Sequence, residues 1–175
     1  MAGPTSTRNY PGLGSGLIVV GVDGTAASRQ ALEWAIVAAE AQGQRILAIG
    51  TYKSPLMVGA SSYPTGSPVT IRELSNECRR VLTDAAYIAT ERHPTVQIET
   101  KVVEGAAAEV LVDASAGAAL LVVGSRGNGP LIGLLLGSVS QKCVARAHCP
   151  VVVVGPEARV KKYGALSVAA LVATG

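Results

Sequence analysis

Two hydrophobic periods alternate along this chain. Leu17 to Val22 is a short, β-branched apolar run that stops at Asp23-Gly24, the pattern of a strand buried on both faces. From Ala26 to Gln42 the period changes, and Ala31, Leu32, Trp34, Ala35, Ala38 and Ala39 recur at helical spacing until Gly43, a residue type that ends helices. Arg45 to Thr51 predicts a second strand. Residues 53–68, rich in Pro, Ser and Gly, predict a loop. A long helix is expected from about Val69 to Arg92, with Leu74, Cys78, Leu82, Ala85 and Ala89 on one side and Pro94 closing it. Val96 to Val103 alternates and predicts a third strand nearer an edge. Ala106 to Ser115 reads as a helix, Ala119 to Val123 as a fourth strand, Ser138 to Arg146 as a last helix and Pro150 to Val154 as a fifth strand. Regular alternation of strand and helix calls for right-handed crossovers, hence an α/β fold: a mostly parallel sheet with helices on both faces.

Composition sharpens this picture. With 175 residues, 49% of them hydrophobic, one globular domain is the expectation. Phe is absent and charged residues are only 15%, so Ala, Val, Leu and Ile must build the core, which suits close packing of helices on a sheet. Residues 1–15 carry Pro4, Pro11, Gly12 and Gly14 among small polar residues and are expected to form a flexible arm. The domain then runs over residues 16–156, and residues 157–175 form a tail to which no role is assigned. Its apolar end, Leu166 to Val172, falls short of the roughly 18 residues a membrane span needs, as does every other apolar run. No membrane partner is expected. The net charge of +3 comes from scattered Lys and Arg without interleaved aromatics, so nucleic acid is not an expected partner. Cys78, Cys143 and Cys149 are odd in number and lack metal-ligand spacing, and no secretory pattern precedes residue 16. A reduced, cytoplasmic protein is expected.

Candidate chemistry follows the fourth strand. There the chain reads Gly124-Ser125-Arg126-Gly127, nine residues, then Gly137-Ser138-Val139-Ser140. Gly124 and Gly127 allow a sharp turn and close approach of the main chain to a ligand. Gly137 and Ser138 lead into a helix whose first amides lack partners and whose dipole attracts phosphate. The intervening Pro130, Leu131, Ile132, Leu134, Leu135 and Leu136 are apolar enough to pack as a flap. The same residues admit a ligand-free explanation, since Ser138 with Gln141 has the spacing of a capping box. Asp23 sits at the carboxyl end of the first strand, where open α/β sheets place ligand residues. It either accepts from ribose hydroxyls or helps cap the helix that follows, with Thr25 and Ser28 as competing caps.

The spacing Gly, two residues, Gly, nine residues, Gly-Ser resembles the ATP-binding signature of the universal stress protein family. Val-Gly-Val-Asp-Gly-Thr from Val20, Val-Val-Glu-Gly-Ala-Ala-Ala-Glu-Val-Leu from Val102, Leu-Val-Val-Gly-Ser-Arg-Gly from Leu121, Leu-Leu-Leu-Gly-Ser-Val-Ser from Leu134 and His-Cys-Pro-Val-Val-Val-Val from His148 are similar to its standard blocks. The resemblance covers about residues 16 to 156. It implies an adenine nucleotide alpha hydrolase-like fold with strand order 3-2-1-4-5 and ATP across the carboxyl ends of strands 1 and 4. It places Gly21 and Asp23 beside adenine and ribose, the main chain around Thr51 against adenine, and Gly124, Gly127, Gly137, Ser138, Val139 and Ser140 around ribose and phosphates. Arg126 is either a charge-assisted phosphate contact or a solvated surface arginine. ATP, alone or with magnesium, is the ligand implied, and cyclic AMP and AMP are the alternatives. The family also implies a homodimer through the edge strand at residues 151–154, an apolar edge that invites pairing.

Other chemistries are disfavoured. There is no Gly-x-x-x-x-Gly-Lys-Ser/Thr, and Gly127-Asn128-Gly129 does not continue to Gly-x-Gly-x-x-Gly. No catalytic or metal-binding residue is assigned: His93 stands beside Pro94, and His148 with Cys149 precedes the last strand, without a nucleophile and base between them. The leading expectation is an ATP-binding regulatory protein of the stress-response type with at most slow hydrolysis. A ligand-free interaction module of the same fold is the runner-up, and an adenylate-forming or electron-transfer enzyme on a related scaffold stands third.

Overall fold

The computed structural model describes residues 16–54, 70–125 and 136–155. The expected arm (1–15), the tail (157–175), most of the 53–68 loop and the flap residues Pro130, Leu131, Ile132, Leu134 and Leu135 lie outside the described residues, as do Arg126 and Gly127. In chain order the elements are β1 Leu17–Gly21, α1 Ala26–Gln42, β2 Arg45–Tyr52, α2 Ile71–Arg92, β3 Ile98–Glu104, α3 Ala107–Ser115, β4 Leu120–Gly124, α4 Ser138–Arg146 and β5 Val151–Val154. The strands form one sheet in the order β3-β2-β1-β4-β5, with every neighbouring pair parallel. This is the adenine nucleotide alpha hydrolase-like arrangement.

Alternation along the central strands builds two cores. Ile18, Val20, Ile46, Ala48, Leu120 and Val122 meet Ala31, Leu32, Ala35 and Ile36 of α1 and Leu82 and Ala89 of α2 on one face. Leu17, Val19, Leu47, Ile49, Leu121 and Val123 meet Val110, Leu111 and Ala114 of α3 and Cys143 of α4 on the other. Both faces of β1 and β4 are buried, so these strands read as unbroken apolar runs.

Helix boundaries have local causes. Thr25 caps α1 by accepting from the Ser28 amide at 3.2 Å, and Gly43 closes it in the left-handed region at φ 62°. For α2, Thr70 and Glu73 form a reciprocal capping box. The helix therefore starts at Ile71, two residues after the expected Val69, which is itself outside the described residues. His93, at the end of α2, is buried. It is 7% exposed and lies between two carboxylates of α1, with Nδ1 3.3 Å from Glu40 Oε2 and Nε2 3.8 Å from Glu33 Oε1.

All three cysteines are free. Burial pushes the Cys143 thiol from an ordinary value of 9.0 up to about 11 and also raises Cys78 and Cys149. Because the thiolate is the reactive form, Cys143 is expected to resist a disulfide reagent at neutral pH until the protein unfolds. The linkage has a definite sign. A raised folded-state value gives stability that is complete below 9.0 and lost as pH rises through about 11. Cys143→Ala should flatten that alkaline loss in urea titrations across the same window.

Candidate functional site

β1 and β4 are neighbours in the sheet, yet the chain leaves them for opposite faces, to α1 from β1 and to α4 from β4. That divergence opens a crevice at their carboxyl ends, the place where open α/β sheets receive ligands. Of the residues singled out in the sequence, Gly21, Asp23, Thr51, Gly124, Gly137, Ser138, Val139 and Ser140 lie at this end of the sheet.

On the β1 side, Gly21 ends the strand. A Cβ there would come within 2.8 Å of Leu111 Cδ1, so the missing side chain admits α3 against the sheet. Asp23 is exposed. Its Oδ1 accepts from the Thr25 amide at 3.0 Å and from the Thr25 hydroxyl at 2.6 Å, while its own amide donates to Ser28 Oγ at 3.3 Å. Of the competing caps, Thr25 is the one that caps the start of α1. Asp23 orients Thr25, and its Oδ2 has no hydrogen-bond partner among the described residues. The Arg29 guanidinium reaches back to the Gly24 carbonyl, bringing a positive charge to this turn. Thr51, half-buried, pairs with Val103 of β3. It lies two residues past Ile49, which pairs with Gly21, so the end of β2 flanks Asp23.

On the β4 side, Gly124 is the last residue of the strand. A Cβ would fall 2.9 Å from both Ala27 C and Ser28 N, backbone atoms of the first turn of α1. The strand end and the helix start touch through the space a side chain would occupy. Ser125 follows, 8% exposed. Its amide donates to the Val154 carbonyl at 2.7 Å, and its carbonyl accepts from the Gly137 amide at 2.6 Å. The two ends of the 126–136 connection are thus joined at their base, and Gly137 through Ser140 are held beside the end of β4.

The expected capping box on α4 does not form. Gly137, drawn to the Ser125 carbonyl, takes the N-cap position without a side-chain cap, Ser138 becomes the first helical residue, and the Gln141 amide group donates instead to the Leu136 carbonyl at 3.0 Å. The amides of Ser138, Val139 and Ser140 therefore have no partner among the described residues, since the first turn of a helix provides none. Ser138 is exposed, Val139 half-buried and Ser140 buried. Ser28 is among the caps expected from sequence, whereas no signal marks the role of Ser125, which acts through its backbone.

His148 is exposed, and its amide donates to Ser115 Oγ at 2.8 Å. Cys149 Sγ lies 3.4 Å from the Pro150 carbonyl. Among the described residues no group of three His, Cys, Asp or Glu is placed to hold a metal ion, and no helix is long and apolar enough to cross a membrane.

The model of the universal stress protein family matches residues 16–155. The universal stress protein Rv2623 of Mycobacterium tuberculosis is 35% identical over 144 residues, which cover 80% of this chain and 48% of the relative. The universal stress protein Mb2019 of Mycobacterium bovis is 31% identical over 159 residues, covering 81% and 49%. The chain thus spans about half the length of the curated relatives it matches. Among solved structures, a universal stress protein in complex with cAMP superposes with a TM-score of 0.60 at 26% identity, over 81% of this chain and 97% of that one. A universal stress protein family protein of Arabidopsis thaliana with AMP bound has the same fold, with a TM-score of 0.54 at 24% identity over 79% and 90%.

Proposed function

The chain belongs to the universal stress protein family, and from that premise we propose that it is a regulatory protein that binds an adenine nucleotide across the carboxyl ends of β1 and β4. The observation that carries this reading is the base of the 126–136 connection. The Ser125–Gly137 hydrogen bond holds the start of α4, with its unpartnered amides, at the end of β4. Oriented amides at a helix N-terminus favour phosphate oxygens.

Residue by residue, Asp23 accepts from the ribose, Gly21 and the main chain at Thr51 border the adenine, and the phosphates lie among Gly124, Arg126, Gly127, Gly137, Ser138 and Val139. ATP is the ligand implied by the resemblance of the glycine spacing to the family's ATP-binding signature. The relative solved with cAMP supports cyclic AMP on the same frame. Magnesium enters only as a companion of the triphosphate, because the described residues offer no carboxylate cluster for it. Occupancy would act by changing conformation or partner affinity, and a stress-response role follows from family membership. Three free thiols support a reducing, cytoplasmic setting.

The second copy is the proposed partner. Val151, Val152 and Val153 of edge strand β5 are half-buried, and Val144 of α4 is 54% exposed, an apolar edge suited to strand pairing.

Titration calorimetry with ATP, cyclic AMP and AMP tests the ligand. Wild type should bind at least one of them, and the Gly127→Ala, Ser138→Ala double variant should lose about tenfold or more in affinity, the loss expected when charge-assisted hydrogen bonds go. Wild type that binds no adenine nucleotide sinks the reading. Light scattering on the same samples should give twice the chain mass, and a monomer at micromolar concentration removes the dimer.

A further inference from the structure

Resting on the nucleotide-binding reading above, we infer that Ser140 is a positioning residue: its hydroxyl ties the backbone of Ser125 to that of Gly137 and does not itself touch the phosphates. The side chain is 2% exposed. Its Oγ lies 2.9 Å from the Gly137 carbonyl and 3.2 Å from the Ser125 carbonyl, the residues on either side of the connection. A serine hydroxyl has one proton, and here that proton is shared between two backbone acceptors. Only lone pairs remain on Oγ. Phosphate oxygens are acceptors too, so they find no donor there.

Ser138 differs in each respect. It is exposed and heads the helix, and its side chain makes no capping bond. The two serines flanking Val139 therefore divide the work: Ser138 faces the ligand, and Ser140 sets where the amides of Ser138 and Val139 stand. Ser140 acts through the Ser125 backbone, whose carbonyl also takes the Gly137 amide and whose amide is fixed to Val154 of β5. The end of β4, the start of α4 and β5 meet at this one residue.

Amide hydrogen exchange on the nucleotide-free full chain, together with AMP calorimetry, separates positioning from contact. In Ser140→Ala, exchange at the Gly137 amide should rise about tenfold and AMP affinity should fall about tenfold, the scale of one lost hydrogen bond. Ser140→Thr, which keeps the hydroxyl and can still bond a carbonyl three residues back, should restore both. Ser138→Ala should weaken AMP binding while Gly137 exchange stays at the wild-type rate. If Ser140→Ala does not fold, Ser140→Cys, a weak donor of similar shape, is read in the same way.

Lost affinity with unchanged Gly137 exchange would mean direct contact with the ligand and overturn the inference. Faster exchange with unchanged affinity would overturn it as well, because the tie would then not serve the site. Wild type that fails to bind AMP, cyclic AMP or ATP at all is a different result, and it counts against the nucleotide reading itself.

Discussion

Replacing Gly124 with alanine is expected to destabilise the fold by about 3 kcal/mol, the upper part of the range for overpacking, and to remove measurable nucleotide binding. The added methyl would fall 2.9 Å from Ala27 C and Ser28 N and 3.0 Å from Ala27 Cβ. The first two are backbone atoms in the first turn of a helix and cannot rotate away, so α1 must retreat from β4. The same turn carries Ser28, whose Oγ accepts from the Asp23 amide, so its retreat also displaces the residue assigned to the ribose. Gly21→Ala is the instructive comparison. Its methyl would meet Leu111 Cδ1 at 2.8 Å, the end of a flexible side chain, and about 1 kcal/mol should suffice for the adjustment. Urea unfolding of the two variants beside wild type measures the difference. A Gly124→Ala protein as stable as wild type would show that the contact between β4 and α1 has room to spare.

Leu82→Ala should be the most damaging single truncation of α2, lowering stability by about 3 kcal/mol, within the usual range for a buried leucine. Although α2 runs for 22 residues, only Leu82 and Ala89 on it are fully buried. Leu82 shares with Cys78 the space that a side chain on Gly50 would take, its Cδ1 lying 2.8 Å and Cys78 Sγ 2.7 Å from that position, and Leu82 alone of the two is fully buried in the core cluster shared with α1. Its loss should therefore appear as a lower denaturation midpoint and as faster amide exchange confined to α2. If exchange rises equally in α1 and α2, the two helices unfold as one unit, and the tie from His93 to Glu33 and Glu40 outweighs the leucine.

The order and type of the elements were legible because the strongest signals are local. β1 and β4 are short runs without a polar residue, β2 is apolar from Ile46 to Ile49, and α1 keeps its period for 17 residues. The face of α2 was read with less precision. Leu74, Cys78 and Ala85 are half-buried, since the helix covers the β2 and β3 side of the sheet, where fewer neighbours exist to bury them. At the site, the spacing of Gly124, Gly137 and Ser138 marked a candidate ligand approach, but not that the start of α1 packs against Gly124. That contact arises between residues almost a hundred positions apart and leaves no trace in local spacing. Ser125 was illegible for another reason. Its amide and carbonyl carry its role, and every residue but proline has both. Ser138 and Gln141 had the letters of a capping box, yet the bond from Gly137 to Ser125 shifted the cap by one residue. Tertiary geometry overrode a local preference.

The two edges of the sheet are chemically unlike. β3 presents Glu99, Thr100 and Glu104 to solvent, with Lys101 half-buried between them, and charged residues on an edge discourage a strand from docking there. β5 presents valines. Growth of the sheet from one copy to the next has a foothold on one side only. The proposed association, with the same strand in both molecules, would use up that foothold and close the assembly at two, leaving neither sheet edge to extend into a filament.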